Sequence, residues 1–122
     1  MEFQEFAKRA VLIDKRNAFS RYDGDLSKVP EEMVTFYRET NPSDVEVSFV
    51  RFVSAEGLAN LQAEYAYLNV QFVFATSNGD PIFLHEGKIY TCPHGIKTPQ
   101  HELLSENIKL YFSSLIEEAI EE

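Results

Sequence analysis

Tryptophan is absent from the 122 residues, and Cys92 is the one cysteine. A lone thiol cannot close an internal disulfide. The fold must therefore rest on its core, and a reducing cytoplasm is the expected compartment. No apolar run approaches the ~18 residues that a membrane-spanning helix requires. The opening MEFQEFAKRA carries acids where a secretory signal would carry an apolar block, so no such signal is expected. Bases are scarce as well: 11 Lys and Arg face 20 Asp and Glu, for a formal charge of −9. A body this acidic repels phosphate, which argues against nucleic acid and anionic membrane as partners. There is no phosphate-binding P-loop, no Rossmann glycine pattern, no Gly-x-Ser-x-Gly and no His-Glu-x-x-His. Internal repeats and low-complexity stretches are also missing.

What is present can fill a core. The apolar fraction is 44%, with 10 Phe and 6 Tyr, and the length suits one domain over residues 1–122. The charge is uneven. Residues 1–21 hold five bases against three acids, whereas residues 22–122 hold six bases against 17 acids. The expected partner is a basic protein, with plain solubility as the competing reason for the acidity.

Helical spacing of Phe3, Phe6, Ala7 and Ala10 predicts a first helix over 2–12. A polar loop over 20–28 centres on Asp23-Gly24. A second helix is expected to start with Pro30 as its first residue. Glu31 and Glu32 favour its positive end, Met33, Phe36 and Tyr37 form its apolar stripe, and Asn41-Pro42 stops it. Residues 45–53 read as one internal strand, with Val45, Val47, Phe49 and Val53 on one face and Val50 and Phe52 on the other. Ser54 is expected to cap a helix over 55–68 that buries Leu58, Leu61, Tyr65 and Leu68. A strand follows over 70–75, and Ser77-Asn78-Gly79-Asp80-Pro81 is a dense turn signal. Ile82–His85 and Lys88–Cys92 flank Glu86-Gly87 as a two-residue hairpin. After a loop over 93–101, Ser105 is expected to cap a last helix that buries Ile108, Tyr111, Phe112, Leu115, Ile116 and Ala119. Its acidic end, Glu117, Glu118, Glu121 and Glu122, should lie in solvent. This order predicts an α+β single domain: a mainly antiparallel central sheet, helices packed around it, and a C-terminal helix.

These segments, in this order, resemble the SUKH superfamily, which includes a yeast cell-wall synthesis regulator and many bacterial immunity proteins. The likeness lies in Val29-Pro30-Glu31-Glu32-Met33-Val34-Thr35-Phe36-Tyr37 and Asn41, in Phe72-Val73-Phe74-Ala75 before Asn78-Gly79-Asp80-Pro81-Ile82, in Gly87-Lys88-Ile89-Tyr90 with His94, and in Ser105 through Ile116. It spans roughly residues 28–119. Pro42 stands where the family often has glycine, and residues 1–27 have no clear counterpart. The resemblance implies an α+β fold with no catalytic activity, and binding to a cognate toxin, often a nuclease or deaminase.

The residues offer little chemistry beyond binding. His85, Cys92, His94 and His101 could be read as a zinc set, but Cys92-x-His94 is tighter than finger spacing and His85 lies across a hairpin, so no metal and no cofactor is expected. Cys92 with His94 lacks oxyanion donors, and no catalytic residue is assigned. Gly79-Asp80-Pro81 answers a backbone need, with Asp80 expected to bond nearby amides. Tyr65 falls on the buried face, while Tyr67 points elsewhere and is a candidate anchor. The candidate partner-binding residues are Glu46, Glu56, Glu64, Tyr67 and Asp80. Glu56 and Glu64 are expected two turns apart on one helix, with Tyr67 a turn beyond Glu64. Two other readings remain: a regulatory or scaffold module without a toxin partner, and a small-molecule or enzymatic domain using the loop around Asp80 and His94.

Overall fold

Phe6 stacks on Phe112 with ring centroids 4.2 Å apart, and Phe3, Phe36 and Phe52 meet the same Phe112 ring edge-on. These five rings fasten together four elements that the sequence spreads from end to end. In the computed structural model, which describes residues 1–121, they are α1 (Phe3–Ile13), α2 (Glu31–Thr40), β4 (Val50–Phe52) and α4 (Ile108–Glu121). The first helix is thus a full member of the core, with Phe6 and Ala10 completely buried.

The remaining elements are β1 (Ala18–Ser20), β2 (Asn41–Ser43), β3 (Val45–Val47), α3 (Leu58–Glu64), β5 (Phe72–Ser77), β6 (Asp80–His85), β7 (Lys88–Thr91) and β8 (Glu102–Ser105). β1 and β2 form a separate antiparallel pair. The other six strands form one antiparallel sheet in the order β3-β4-β5-β6-β7-β8, so every neighbour in the sheet is also a neighbour in sequence. This is the α+β fold that the pattern predicts, with the helices packed around a mainly antiparallel sheet and a helix at the C-terminal end.

Several local expectations change. The segment 45–53 is not one internal strand but a hairpin, β3 and β4, turning at Ser48-Phe49. Pairing of Val47 with Val50 and of Val45 with Phe52 places all four on one buried face, and Phe49 is thrown to the surface. β3 is therefore an edge strand. Pro30 sits just outside α2 with extended backbone rather than as its first residue. The strand expected over 70–75 runs two residues later. The helix expected over 55–68 is broken into a 3-10 turn (Ala55–Gly57), α3 and a second 3-10 turn (Ala66–Leu68), although Leu58, Leu61, Tyr65 and Leu68 are buried as expected. Ser54 makes no capping bond; the amide of Ala55 donates to Asn41 Oδ1 at 2.7 Å instead. Ser105 ends β8, and Asn107 caps α4 by accepting the Leu110 amide at 2.9 Å. Of the acidic end, Glu117, Glu118 and Glu121 are exposed, and Glu122 lies outside the described residues.

Gln62 fixes α3 against the sheet. Its side chain accepts the Val73 amide at 2.8 Å and donates to the Val73 carbonyl at 2.6 Å. β4 pairs with β5 as far as Ala75, and the Val53 amide still donates to the Phe74 carbonyl at 3.3 Å; Gln62 takes over at Val73, where the neighbouring strand has ended. No helix is long and apolar enough to cross a membrane among the described residues.

Candidate interaction site

Three two-residue turns reverse the sheet, and each needs positive φ at both positions. Asn78-Gly79 and Glu86-Gly87 supply the usual residues, with φ of 52° and 86° in the first and 51° and 82° in the second. Ser48-Phe49 does the same, at 51° and 66°, without a glycine. The Ser77 hydroxyl donates to the Phe49 carbonyl at 3.0 Å, which brings the Ser48-Phe49 turn beside Asn78-Gly79, at the end of the sheet opposite Glu86-Gly87.

Around Ser48-Phe49 and Asn78-Gly79 the sequence folds a rim. Asp80 opens β6, and its Oδ1 accepts the His94 amide at 3.0 Å and lies 2.7 Å from His94 Nδ1. The expectation that Asp80 bonds nearby amides is corrected: its partner is 14 residues away, because the β6–β7 hairpin returns the chain to the start of β6. The Tyr65 hydroxyl donates to the Gly79 carbonyl. The Gly95 amide donates to the Tyr67 hydroxyl at 2.7 Å, and the two tyrosine rings lie face to face with centroids 6.5 Å apart. The loop after β7 is thus held at two consecutive residues, His94 by Asp80 and Gly95 by Tyr67. Phe49 is 66% exposed, Tyr67 45% and Ile96 51%, so the rim shows apolar surface among polar groups. Burial pushes the Tyr65 hydroxyl up to about 12, helped by the charge of neighbouring Glu64. It stays protonated and able to donate at neutral pH.

The structure brings together three of the five predicted residues and separates two. Glu64 ends α3 beside the rim, with Tyr67 and Asp80 in it. Glu56 does not share a continuous helix with Glu64. It lies in the 3-10 turn, where the Asn41 side-chain amide donates to its Oε1 at 2.8 Å. That bond, with one from its own backbone, holds the Glu56 carboxyl below its ordinary range. Glu46 does not stand free of bases either. It is paired across the hairpin with Arg51, and it shares an open cleft with Arg16, Asp14 and Asp44. Its backbone serves to hold buried Asn17, which accepts the Glu46 amide at 2.9 Å. Sequence reasoning missed Phe49, because neither serine nor phenylalanine signals a left-handed turn.

The groups considered for metal or thiol chemistry stand apart in role. His85 meets the Tyr90 ring, His101 meets Phe83 edge-on, and His94 belongs to Asp80. Among the described residues, no group of three or more His, Cys, Asp or Glu is placed to hold a metal ion. Cys92 is buried, and burial together with the Asp80 charge pushes its thiol up, away from the thiolate that a nucleophile requires. An open cleft of about 580 Å³ beside it is lined by Asp80, Thr91, Pro93, His101 and Glu102.

Comparison with known protein families, with curated proteins and with solved structures finds no match.

Proposed function

We propose that this chain is a non-enzymatic protein-binding domain whose rim at Phe49, Tyr67 and Asp80 seats a basic protein. The observation that carries this reading is Phe49. A bulky side chain in the left-handed region costs on the order of 1–2 kcal/mol. Leaving its ring 66% exposed recovers little of that cost through burial. Folding alone gives no reason for phenylalanine at this turn, whereas an interface gives one, since aromatic anchors supply much of the affinity at protein surfaces.

Charge supports the identity of the partner. Residues 22–122 carry 17 acids against six bases, and Glu64 and Asp80 stand at the rim itself. Enzymes that act on nucleic acid present cationic grooves, which such a surface complements. Together with the resemblance to the SUKH superfamily, this makes the reading a cytoplasmic immunity protein that occludes a nuclease- or deaminase-type toxin. Nucleic acid, membrane and cofactor have no part in it. A regulatory or scaffold partner would use the same rim without neutralising anything.

The test uses the intact chain and a Phe49→Ser, Tyr67→Ser double variant as baits in the native host. A basic protein held by the first, lost by the second and toxic when produced alone supports the proposal. A captured set that is identical for both baits overturns the rim. A captured partner that is harmless on its own favours the regulatory reading.

A further inference from the structure

α1 and α4 run side by side in the same direction. The N-terminal ammonium of Met1 donates to the Lys109 carbonyl at 3.2 Å, and Lys109 Nζ lies 3.0 Å from a Glu2 carboxylate oxygen. Phe6 then stacks on Phe112, and at the far end Leu12, Ile13 and Ile120 line one cleft of about 440 Å³. Its apolar side chains are poorly covered: Leu12 is 85% exposed and Ile120 64%. The walls differ in sign. On the α1 side stand Glu5, Lys8 and Arg9; Glu5 holds Arg9 at 2.8 Å, and among the described residues Lys8, one turn before Leu12, makes no ion pair, so this wall keeps one net positive charge. On the α4 side, exposed Glu117 lies one turn before Ile120, and exposed Glu121 follows it.

We propose that this cleft is a self-association surface and that its occupant is a second copy of this chain. A two-fold axis running along the cleft sets α1 of each copy against α4 of the other. Leu12 then meets the partner's Ile120, and Lys8 meets the partner's Glu117. The same contacts form twice, and each opposes the unpaired charge of Lys8 to the acidic edge of α4. An axis across the helices would set base against base, so the charge pattern selects the first arrangement. The surface is small. An 11-residue helix is about 16 Å long, and two helices are roughly 20 Å wide, well short of the ~800 Å² per partner of a stable complex. The dimer is therefore weak and needs concentrated protein. None of the residues lining this cleft belongs to the rim described above, so the two proposals stand or fall separately.

Sedimentation velocity with the whole chain, from about 10 µM to about 1 mM, reads the association. Dimerisation is expected in the upper part of that range. Leu12→Glu should weaken it by about tenfold or more, and because Leu12 is so exposed this variant keeps its melting temperature. Lys8→Glu should weaken it too, and Lys8→Glu combined with Glu117→Lys should restore it. A monomer throughout the range overturns the proposal, as does a dimer indifferent to Leu12→Glu. Failure of the charge reversal to restore association overturns the pairing of α1 with the partner's α4.

Discussion

One oxygen of Asp80 holds His94 twice, taking the backbone amide at 3.0 Å and lying 2.7 Å from ring Nδ1. The ring is held over Gly79, where an added Cβ would come within 3.1 Å of His94 Cε1. A turn, a strand start and a loop 14 residues on are thereby made into one unit.

Asp80→Ala should release that unit. Both groups are partly solvated, so the loss of global stability is expected to be about 1 kcal/mol. The local effect should be larger: amide exchange at Gly95 rises, since Tyr67 alone then holds the segment. Gly79→Ala attacks the same unit from beneath, through its φ of +86° and the crowding of His94, and should cost about 1–2 kcal/mol. In the double variant the His94 ring is already free to move, so the combined cost should be less than the sum of the two single costs. Strict additivity, with exchange at Gly95 unchanged, would show that Asp80 does not organise the loop.

Tyr37 is fully buried against Phe36, and its hydroxyl has no hydrogen-bond partner among the described residues. Burial pushes that hydroxyl far above its ordinary value, so it stays protonated with its donor unused. Tyr37→Phe removes an unpaired polar group and keeps the ring. It should raise stability by about 1 kcal/mol, visible as a melting temperature a few degrees higher. A lower melting temperature would mean that the hydroxyl has a partner.

Much of the architecture was legible because the apolar spacing is strong where packing decides. Phe3, Phe6, Phe36, Tyr37, Tyr111 and Phe112 fall on their helix stripes, and Asn78-Gly79 and Glu86-Gly87 carry turn residues with a mechanism. The misreadings share a cause. Ser48-Phe49 makes its turn with neither glycine nor asparagine, so 45–53 scans as one strand with both faces apolar. Glu102–Ser105 pairs only because the Pro-rich loop returns it to β7, a contact with no local signature. At the site, Tyr67 and Asp80 were legible as an exposed aromatic and a turn acid. Their ties to Gly95 and His94 were not, since pairings 28 and 14 residues apart leave no periodic trace.

Glu56 gives a pH dependence with a definite sign. Its folded carboxyl lies below the ordinary value of 4.5, through the bond from Asn41 first and its own backbone second. A carboxyl depressed by folding contributes stability above its unfolded value, and the contribution is lost as pH falls through the folded value. Glu56→Gln keeps an acceptor for Asn41 but no charge. It should be less stable than the native chain at pH 7, and the gap should narrow as pH falls below 4.5. Thermal melts over a series of acid pH values check this. Other depressed carboxyls, such as Asp14 beside Arg16, titrate in both proteins and cancel in the difference. A gap that stays constant, or widens in acid, would reverse the assignment.

Phe49→Gly separates folding from binding. Glycine accepts a φ of 66° without the penalty that a Cβ brings, which favours the variant by on the order of 1 kcal/mol. Against this stands the lost burial of a ring that is 66% exposed, leaving little apolar area to forfeit. The Ser77 bond goes to the main-chain carbonyl of residue 49 and survives the change. The balance predicts a melting temperature equal to or above that of the native chain. If the ring is an interface anchor, the same variant should lose partner affinity by about tenfold or more. Stability gained while binding is lost is the signature of a residue held in strain for contact with another molecule. A variant that is less stable and binds as before would place Phe49 in the folding of the hairpin and remove it from the interface.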